Sequence, residues 1–302
     1  MTLNMKFDAV AFDAAAARAR AAEEAGRPRT LVVFAGKELA MADAAKALLA
    51  GASEQITRAA AAARFKGKAG SALEILAPAG IAVSRLLLVG VATGGDEADA
   101  AKPEAAAKGD EFLSLGGQTA ARLGQAGEAV VIFDLPERPA DPAAAAGQFA
   151  LGGWLRAYKF DQYKTKKKDD SEREGPVDVL IGVSDPAAAS VAIDEAGHLA
   201  EAVVLARTLV NEPANVLSPA EFARRASELM KLGVEVEILD EKMMAELGMR
   251  ALLGVGQGSE AESKLVVLRW NGGGEAAPVA FVGKGVVFDT GGISIKPAAS
   301  ME

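Results

Sequence analysis

The first 185 residues alternate between short apolar runs and longer alanine-rich segments. Four apolar runs, rich in leucine or β-branched residues with glycine or proline nearby, have the composition of strands: residues 31–35, 85–91, 129–135 and 177–183. Three segments between them are long and alanine-rich enough to predict helices: residues 39–49, 103–115 and 142–158. Strands that alternate with helices in this way predict an α/β fold with a mainly parallel sheet.

Glycine pairs in this region do not form a nucleotide-binding motif. We interpret Gly94-Gly95 and Gly116-Gly117 as loop or close-packing glycines, because neither pair completes a strand-turn-helix phosphate fingerprint. A lysine-rich and then acidic stretch at residues 158–176 is the strongest change in composition along the chain. It is typical of a solvated connection rather than a phosphate-binding patch. The join between two domains is therefore predicted just after it, giving domains at residues 1–184 and 185–302.

The second domain begins with two helix signals. Asp185 and Pro186 have the residue types of a helix N-cap and first turn, and an apolar stripe at spacings of three and four predicts a buried face: Ala196, Leu199, Val203, Ala206 and Val210. Ser218, Pro219 and Glu221 form a capping-box pattern. The helix that follows is predicted to bury Phe222, Ala226, Leu229 and Met230 and to end near Gly233.

A second α/β unit follows these helices. Residues 234–238 alternate apolar and acidic side chains as a half-exposed strand does, and Asp240 predicts the cap of a short helix that ends near Gly248. Gly254, Gly256 and Gly258 favour a loop, since no strand directly precedes them. Residues 264–270 and 278–283 are predicted to be adjacent buried strands, joined as a hairpin through residues 271–274.

Composition limits the classes of function. The 302 residues are 50% hydrophobic and 25% charged, which is typical of a globular protein with one large or two smaller domains. A formal net charge of -8 argues against a general binder of nucleic acid or anionic membranes. The residues at the start lack a signal-peptide pattern and no apolar stretch is long enough to span a bilayer, so we expect a cytoplasmic protein.

The chain has no cysteine and only one histidine, two residue types that many catalytic sites use. It has no cysteine, which excludes thiolate nucleophiles and disulfides. Its single histidine, His198, lies in a sequence typical of the exposed side of a helix. Histidine-based triads and histidine-ligated zinc sites are then excluded, and any metal here must be held mostly by oxygen ligands or by a neutral lysine.

The segment with the most distinctive chemistry is residues 279–297. Lys284, Asp289 and Lys296 are set among valine, phenylalanine and isoleucine, with Gly291-Gly292 between the acid and the second lysine. Charges in such surroundings are expected to be partly desolvated, which costs free energy unless they pair or bind a cation. Two interpretations stay open from spacing alone: a structural lysine-aspartate pair, or a pocket to which a strand delivers these side chains.

Three separated segments carry a resemblance to a known family. Residues 282–301 resemble the signature of the leucyl (cytosol) aminopeptidase family, and so do the segments Asn211-Glu212-Pro213-Ala214-Asn215-Val216-Leu217-Ser218-Pro219 and Tyr158-Lys159-Phe160-Asp161-Gln162-Tyr163-Lys164. Thr290 stands where serine is commoner in the family. The resemblance covers at least residue 151 to the end, and it implies an N-terminal macro-like α/β domain followed by a truncated C-terminal zinc-peptidase-like α/β domain.

The resemblance also implies a function. It implies a metalloprotease that uses two divalent metal ions, Mn2+ or Zn2+, to release N-terminal residues from peptide substrates, usually as a homohexamer. On the matching positions, Lys284 would bind one metal, Asp289 would contact both, and Lys296 would stabilise the oxyanion that develops at the scissile carbonyl.

One departure from the family concerns length. In the family, further acidic ligands and an arginine near the catalytic water come after this point in the sequence. We therefore expect these 302 residues alone to be inactive. The alternative is a non-catalytic role in DNA binding, regulation or assembly; the lysines of residues 164–168 favour DNA binding, whereas the acidic balance of the chain opposes it.

Overall fold

The computed structural model describes residues 4–23, 28–92, 110–124, 127–165 and 176–300. Contacts between Cα atoms divide the chain into two compact units, Met1–Leu205 and Ala206–Glu302. The domain boundary predicted between residues 184 and 185 stays a prediction. The lysine-rich connection lies mostly outside the described residues, as do the glycine pair at 94–95 and the start of the helix predicted at 103–115.

The first unit is built on a six-stranded sheet. Its strands and helices follow one another along the chain as β1 (Met5–Ala11), α1 (Phe12–Arg20), β2 (Arg29–Ala35), α2 (Asp43–Leu49), α3 (Ser53–Ala63), β3 (Ala72–Leu76), β4 (Arg85–Gly90), α4 (Asp110–Leu123), β5 (Glu128–Ile132), α5 (Pro142–Ala157), β6 (Val177–Val183) and α6 (Pro186–Asn211). The spatial order of the strands is β1-β6-β5-β2-β4-β3, and each neighbouring pair is parallel except β3 with β4. This confirms the predicted α/β fold with a mainly parallel sheet.

Both faces of this sheet are covered, which explains why the central strands are apolar at consecutive positions. Leu31 and Val130 belong to the core on the face that α1, α2 and α3 cover. Val32 and Phe149 belong to the core on the other face, with residues of α4, α5 and α6. All seven residues of β2 are buried. The parallel sheet therefore has the three-layer architecture in which helices bury both sides.

Helices α4 and α5 pack closely through glycines. A Cβ atom built on Gly116 would lie 1.8 Å from the carbonyl oxygen of Phe149, and one on Gly152 would lie 1.9 Å from that of Leu113. The pair Gly116-Gly117 is thus inside a helix, and Gly116 serves close packing, one of the two roles predicted for the pair. Helix α2 begins at Asp43, later than the start predicted at residue 39.

A row of charges crosses one end of the sheet. The strand register aligns Lys6 with Asp178, Asp178 with Glu128, and Glu128 with Arg29. The carboxylate of Glu128 accepts hydrogen bonds from Nε of Arg29 at 2.9 Å and from Nε of Arg18, on α1, at 2.5 Å. Arg29 is almost completely buried and also donates to the carbonyl oxygen of Ala21 at 2.7 Å. This buried network joins β5, β2 and α1.

The long helix α6 begins as predicted, but its buried face differs. Asp185 caps it, since the N–H of Ala188 donates to Oδ1 of Asp185 at 3.1 Å. His198 is exposed on this helix, as predicted. The stripe predicted from spacing was wrong: Leu199 and Val210 are exposed, whereas the buried residues are Ala189, Ile193, Ala200 and Val204. Both sets of residues have helical spacing, so spacing alone could not show which set faces the core.

The second unit contains two more strands and three helices. They are α7 (Pro219–Ser227), β7 (Glu235–Leu239), α8 (Glu241–Glu246), α9 (Arg250–Gly256) and β8 (Leu265–Arg269). The strands pair antiparallel, with Glu235 opposite Arg269. Asp240 caps α8 as predicted, accepting from the N–H of Met243 at 2.8 Å. The loop predicted around Gly254 and Gly256 was wrong, because both glycines lie in α9.

The hairpin predicted after β8 was also wrong. Residues 278–283 form no strand, and β8 pairs with β7. Val279, Phe281 and Val282 are highly exposed, so no sheet among the described residues buries this apolar run. An apolar pattern indicates that a segment suits a buried strand, but the burial itself depends on neighbouring strands. Within the described ranges, no helix has both the length and the apolar content needed to cross a bilayer.

Candidate active site

Residues 289–296 close on themselves and bring Asp289 next to Lys296. Nζ of Lys296 donates to the carbonyl oxygen of Asp289 at 2.8 Å and to its carboxylate at 3.3 Å. The backbone N–H of Lys296 donates to the carbonyl oxygen of Thr290 at 2.8 Å, which holds the two ends of the loop together. The loop therefore places one ammonium group and one carboxylate side by side.

Glycine makes this loop possible. Gly291 has a φ of 92°, in the left-handed region that side chains disfavour, and a Cβ atom there would lie 2.2 Å from the carbonyl oxygen of Ser294. Its N–H donates to Oδ1 of Asp289 at 2.8 Å. Gly292 also has a positive φ, of 58°. Without a side chain at position 291 the backbone turns tightly enough to return Lys296 to Asp289.

The pKa of the Asp289 carboxyl lies below its ordinary value of 3.8. The main cause is the hydrogen bond from the N–H of Gly291, followed by the hydrogen bond and charge of Lys296. The charge of Lys284 contributes in the same direction, so this lysine lies within electrostatic reach of the carboxylate. The structure thus pairs Asp289 with Lys296 and keeps Asp289 ionised near neutral pH.

The expected desolvation of these charges was wrong. The side chains of Lys296 and Asp289 are 47% and 62% exposed, and Lys284 is exposed as well. The neighbouring apolar side chains are themselves exposed, so they do not form the low-dielectric surroundings that the sequence suggested. In the described part of the chain, no three residues among His, Cys, Asp and Glu come together as a metal site. Lys284 and Asp289 supply two donors of the kinds that the family resemblance implies.

The second motif segment, Asn211–Pro219, is fixed to helix α7 by a buried ion pair. The side chain of Glu212 is only 4% exposed, and its carboxylate accepts a hydrogen bond from Nη1 of Arg225 at 3.0 Å. Ser218 caps α7, as predicted, by accepting from the N–H of Glu221 at 3.2 Å. The N–H groups of Val216 and Leu217 donate to the carbonyl oxygen of Pro213, which folds the segment into a turn.

Two arginines of helix α7 also form ion pairs with Glu221 of the same helix. This carboxylate accepts hydrogen bonds from Arg224 at 2.7 Å and from Arg225 at 2.9 Å, and these bonds lower the pKa of Glu221 to about 2. The same interactions raise the pKa of Arg224 above its ordinary value. The Glu221 carboxylate and both guanidinium groups therefore keep their charges across the whole physiological range.

Two contacts near the site were not predicted. A Cβ atom built on Gly285 would lie 3.0 Å from Cε1 of Phe222, so the ring of this α7 residue covers the backbone next to Lys284. The Arg225–Glu212 pair was missed as well. The sequence held a signal for the first contact, since Phe222 was predicted to lie on the buried face of its helix. It held none for the second, because a buried pairing partner cannot be identified from spacing.

Two further features lie away from Lys284, Asp289 and Lys296. The third motif segment belongs to the first unit, where the rings of Phe160 and Tyr163 meet edge to face with centroids 5.8 Å apart. A cavity of about 590 Å³ lies between α8, α9 and the residues that follow them, and its lining includes Glu241, Arg250 and Glu262. Neither Lys284 nor Asp289 nor Lys296 lines it.

Two solved structures superpose on most of this chain. A tomato leucine aminopeptidase mutant superposes with a TM-score of 0.65 at 23% identity, covering 89% of this chain and 51% of the other. The bottromycin maturation enzyme BotP, in complex with Mn, superposes with a TM-score of 0.64 at 24% identity, covering 90% of this chain and 51% of the other. At such identities the likeness defines the fold, that of the leucine aminopeptidases.

Two family models identify the family. The N-terminal domain of the cytosol aminopeptidase family matches residues 31–167, and the catalytic domain of the same family matches residues 204–302. A probable cytosol aminopeptidase of Rhodopseudomonas palustris (strain BisA53) is 54% identical over 276 residues, and one of Bradyrhizobium sp. (strain BTAi1 / ATCC BAA-1182) is 52% identical over 274. The chain belongs to the cytosol aminopeptidase family.

These matches also show how much of a relative the chain represents. They cover 90% of this chain, but only 53% of the Rhodopseudomonas relative and 52% of the Bradyrhizobium relative. The chain thus spans about half the length of the relatives it matches.

Proposed function

We propose that the whole protein is a metal-dependent aminopeptidase that releases N-terminal residues from peptides. The observation that carries this proposal is the cluster of Lys284, Asp289 and Lys296 inside the region that matches the family's catalytic domain. Two divalent ions, Mn2+ or Zn2+, are its proposed cofactors, and the Mn complex of a structural neighbour supports the first of these. We further propose a cytoplasmic location and assembly as a homohexamer.

The proposed roles follow from the chemistry of the three side chains. Asp289 keeps an ionised carboxylate, which is the form that holds a divalent cation. Lys284 offers a nitrogen donor once its ammonium loses a proton, which arginine does not do at accessible pH. Bound metal ions supply a polarised peptide carbonyl and a water of lowered pKa.

Lys296 is the proposed stabiliser of the oxyanion. Its ammonium is held by the carbonyl oxygen and carboxylate of Asp289, so its charge is oriented before a substrate arrives. A preorganised charge at the position where a tetrahedral oxygen forms is worth about 3 kcal/mol in related acyl-transfer sites. The remaining acidic ligands would come from a segment that follows this region in the family.

The test joins these 302 residues to the part of the Rhodopseudomonas relative that follows the matched region. With Mn2+ or Zn2+, we expect this chimera to cleave a leucyl chromogenic amide and the 302-residue chain alone not to do so. Lys296→Ala in the chimera is expected to lower kcat by about a hundredfold. Lys284→Met and Asp289→Asn are expected to lower both metal affinity and kcat.

Lys242→Met is the matched control, because Lys242 is an exposed lysine on α8 outside the site. A folded chimera that binds metal but releases no N-terminal residue would overturn the proposed activity. Normal turnover by the 302-residue chain alone would overturn the proposal that further ligands are needed.

A further inference from the structure

The backbone that carries Lys284 contacts helix α7 at Gly285. The ring of Phe222 lies over Gly285, where an added Cβ would be 3.0 Å from Cε1 and 3.6 Å from Cδ1 of the ring. A Cβ contact of 3.0 Å is tighter than most, so an added side chain would push the ring or the backbone away by a few tenths of an ångström. The ring therefore restricts what fits at this position, directly after Lys284 in the chain.

The neighbouring side chains provide little alternative anchoring. Val286 and Phe288 are 47% and 59% exposed, and Phe281 and Val282 are almost fully exposed. Val287 is half buried. Because an exposed apolar side chain makes few packing contacts, the contact of the Phe222 ring with Gly285 is an important support for residues 284–288.

Helix α7 is a firm support for that ring. The Ser218 cap fixes its first turn. The pairs of Arg225 with buried Glu212 and with Glu221 fix its later residues. A side chain that projects from an element held at both ends keeps a defined position, which is what a site residue needs from its supporting residues.

We infer that Phe222 is a positioning residue for Lys284. Its ring packs on Gly285 and thereby fixes the backbone that carries Lys284. The inference rests on the proposed function for the role of Lys284, but the packing itself can be tested without metal or substrate. Its signature is that alanine at 285 disturbs Lys284 only as long as an aromatic ring occupies position 222.

The experiment is a set of variants in the 302-residue chain, followed by NMR of samples labelled in glycine and lysine. We expect ring currents from Phe222 to displace the Hα signals of Gly285, and Phe222→Tyr to keep that displacement. Gly285→Ala is expected to shift or split the side-chain signals of Lys284. The double variant Phe222→Leu/Gly285→Ala is expected to restore them, because the smaller side chain leaves room for the new methyl group.

Gly283→Ala is the matched control. Gly283 also adjoins Lys284, but a Cβ built there has nothing within 4 Å. We expect this variant to leave the Lys284 signals unchanged, and thermal unfolding of every variant shows whether the fold persists. If Gly283→Ala and Gly285→Ala disturb Lys284 equally, or if the double variant fails to restore its signals, the inference is overturned.

A metal titration of the same variants in the chimera, which carries the further ligands, separates this inference from the proposed function. Mn2+ is paramagnetic and broadens the signals of a side chain that it binds. We expect the Mn2+ concentration that broadens the Lys284 signals to be about tenfold higher in Gly285→Ala than in the wild type, and the same as in the wild type in the double variant. Equal Mn2+ response in all folded variants would overturn the positioning role. The wild-type signals could fail to respond to Mn2+ while Gly285→Ala disturbs Lys284 and the double variant restores it. In that case the proposed role of Lys284 as a metal ligand fails, and its positioning by Phe222 stands.

Discussion

At the scale of single residues, a buried ion pair is expected to have a large effect on the stability of the first unit. The side chain of Glu128 is 9% exposed and that of Arg29 is fully buried, and the two are joined at 2.9 Å. Arg18 completes the network on the other carboxylate oxygen. Burying charges is costly, so such a network is tolerated only while every member keeps its partner.

Replacing Glu128 with glutamine is therefore expected to be severe. Glu128→Gln removes the carboxylate that is hydrogen-bonded to the buried guanidinium of Arg29, and we expect the free energy of unfolding to fall by about 3 kcal/mol. Urea denaturation monitored by circular dichroism measures this change. Glu74→Gln is the control: Glu74 pairs with Arg85 at the surface, and its loss is expected to cost under about 1 kcal/mol. Equal effects from both variants would contradict the interpretation.

The same carboxylate should make stability depend on pH. Burial by itself would raise the pKa of Glu128, but hydrogen bonds from Arg18 and Arg29 and their charges outweigh it and hold the pKa below 4.5. A carboxyl whose pKa is lower in the folded state stabilises the fold fully above its unfolded-state pKa. That stabilisation is lost as the pH falls through the folded-state pKa.

Denaturation of the wild type and Glu128→Gln at several pH values tests this linkage. We expect the difference between their free energies of unfolding to be constant near about pH 7 and to shrink below about pH 4.5. A difference that stayed constant down to about pH 3 would mean that Glu128 does not titrate as described.

At the scale of elements, helix packing can be tested with two adjacent glycines in α4. A Cβ atom on Gly116 would lie 1.8 Å from the carbonyl oxygen of Phe149, whereas one on Gly117 would meet its nearest atom at 3.5 Å. We expect Gly116→Ala to lower the free energy of unfolding by about 2 kcal/mol through overpacking. Gly117→Ala should be neutral or stabilising by up to about 1 kcal/mol, because alanine favours helix. Thermal unfolding of both variants gives the comparison, and a stabilising Gly116→Ala would refute the close packing.

Elements were predictable from sequence where local chemistry defines them. Strands β2 and β6 and the caps at Asp185, Ser218 and Asp240 were predicted from residue type and spacing alone. Strand β1 was missed although its buried Met5 and Phe7 alternate with exposed Lys6 and Asp8. It is a strand because β6 pairs with it, and a partner more than a hundred residues away leaves no local signal.

The candidate site was also predictable from the sequence only in part. Lys284, Asp289 and Lys296 were singled out by their residue types, and the loop that joins the last two follows from Gly291. The exposure of these charges was not predictable, because it depends on which strands cover residues 279–283. Their roles in metal binding and catalysis stay predictions.

At the scale of the whole molecule, helix α6 decides where the first unit ends. Ile193 and Ala200 are buried in the same core as Trp154 of α5, and Gly197 lies against the Trp154 ring. A fragment of residues 1–184 loses these contacts, whereas a fragment of residues 1–205 keeps them. The two boundaries therefore predict different results. If the first unit ends at Leu205, the fragment of residues 1–184 is less stable than that of residues 1–205; if it ends at residue 184, the two are equally stable.

Calorimetry of the two fragments distinguishes these boundaries. We expect residues 1–205 to unfold in one cooperative transition, and residues 1–184 to unfold at least about 5 °C lower or to bind a hydrophobic dye. Equal melting temperatures would favour the boundary predicted from the sequence.

The pairing of β1 with β6 has a consequence for synthesis on the ribosome. Met5 lies opposite Val177, so the first strand made finds its place only after nearly the whole first unit has been translated. Strands β2, β3, β4 and β5 pair among themselves and can assemble earlier. The emerging chain must therefore carry Met5–Ala11 as an unpaired, partly apolar tail for much of its translation, a period in which chaperones that bind short apolar segments have access to it.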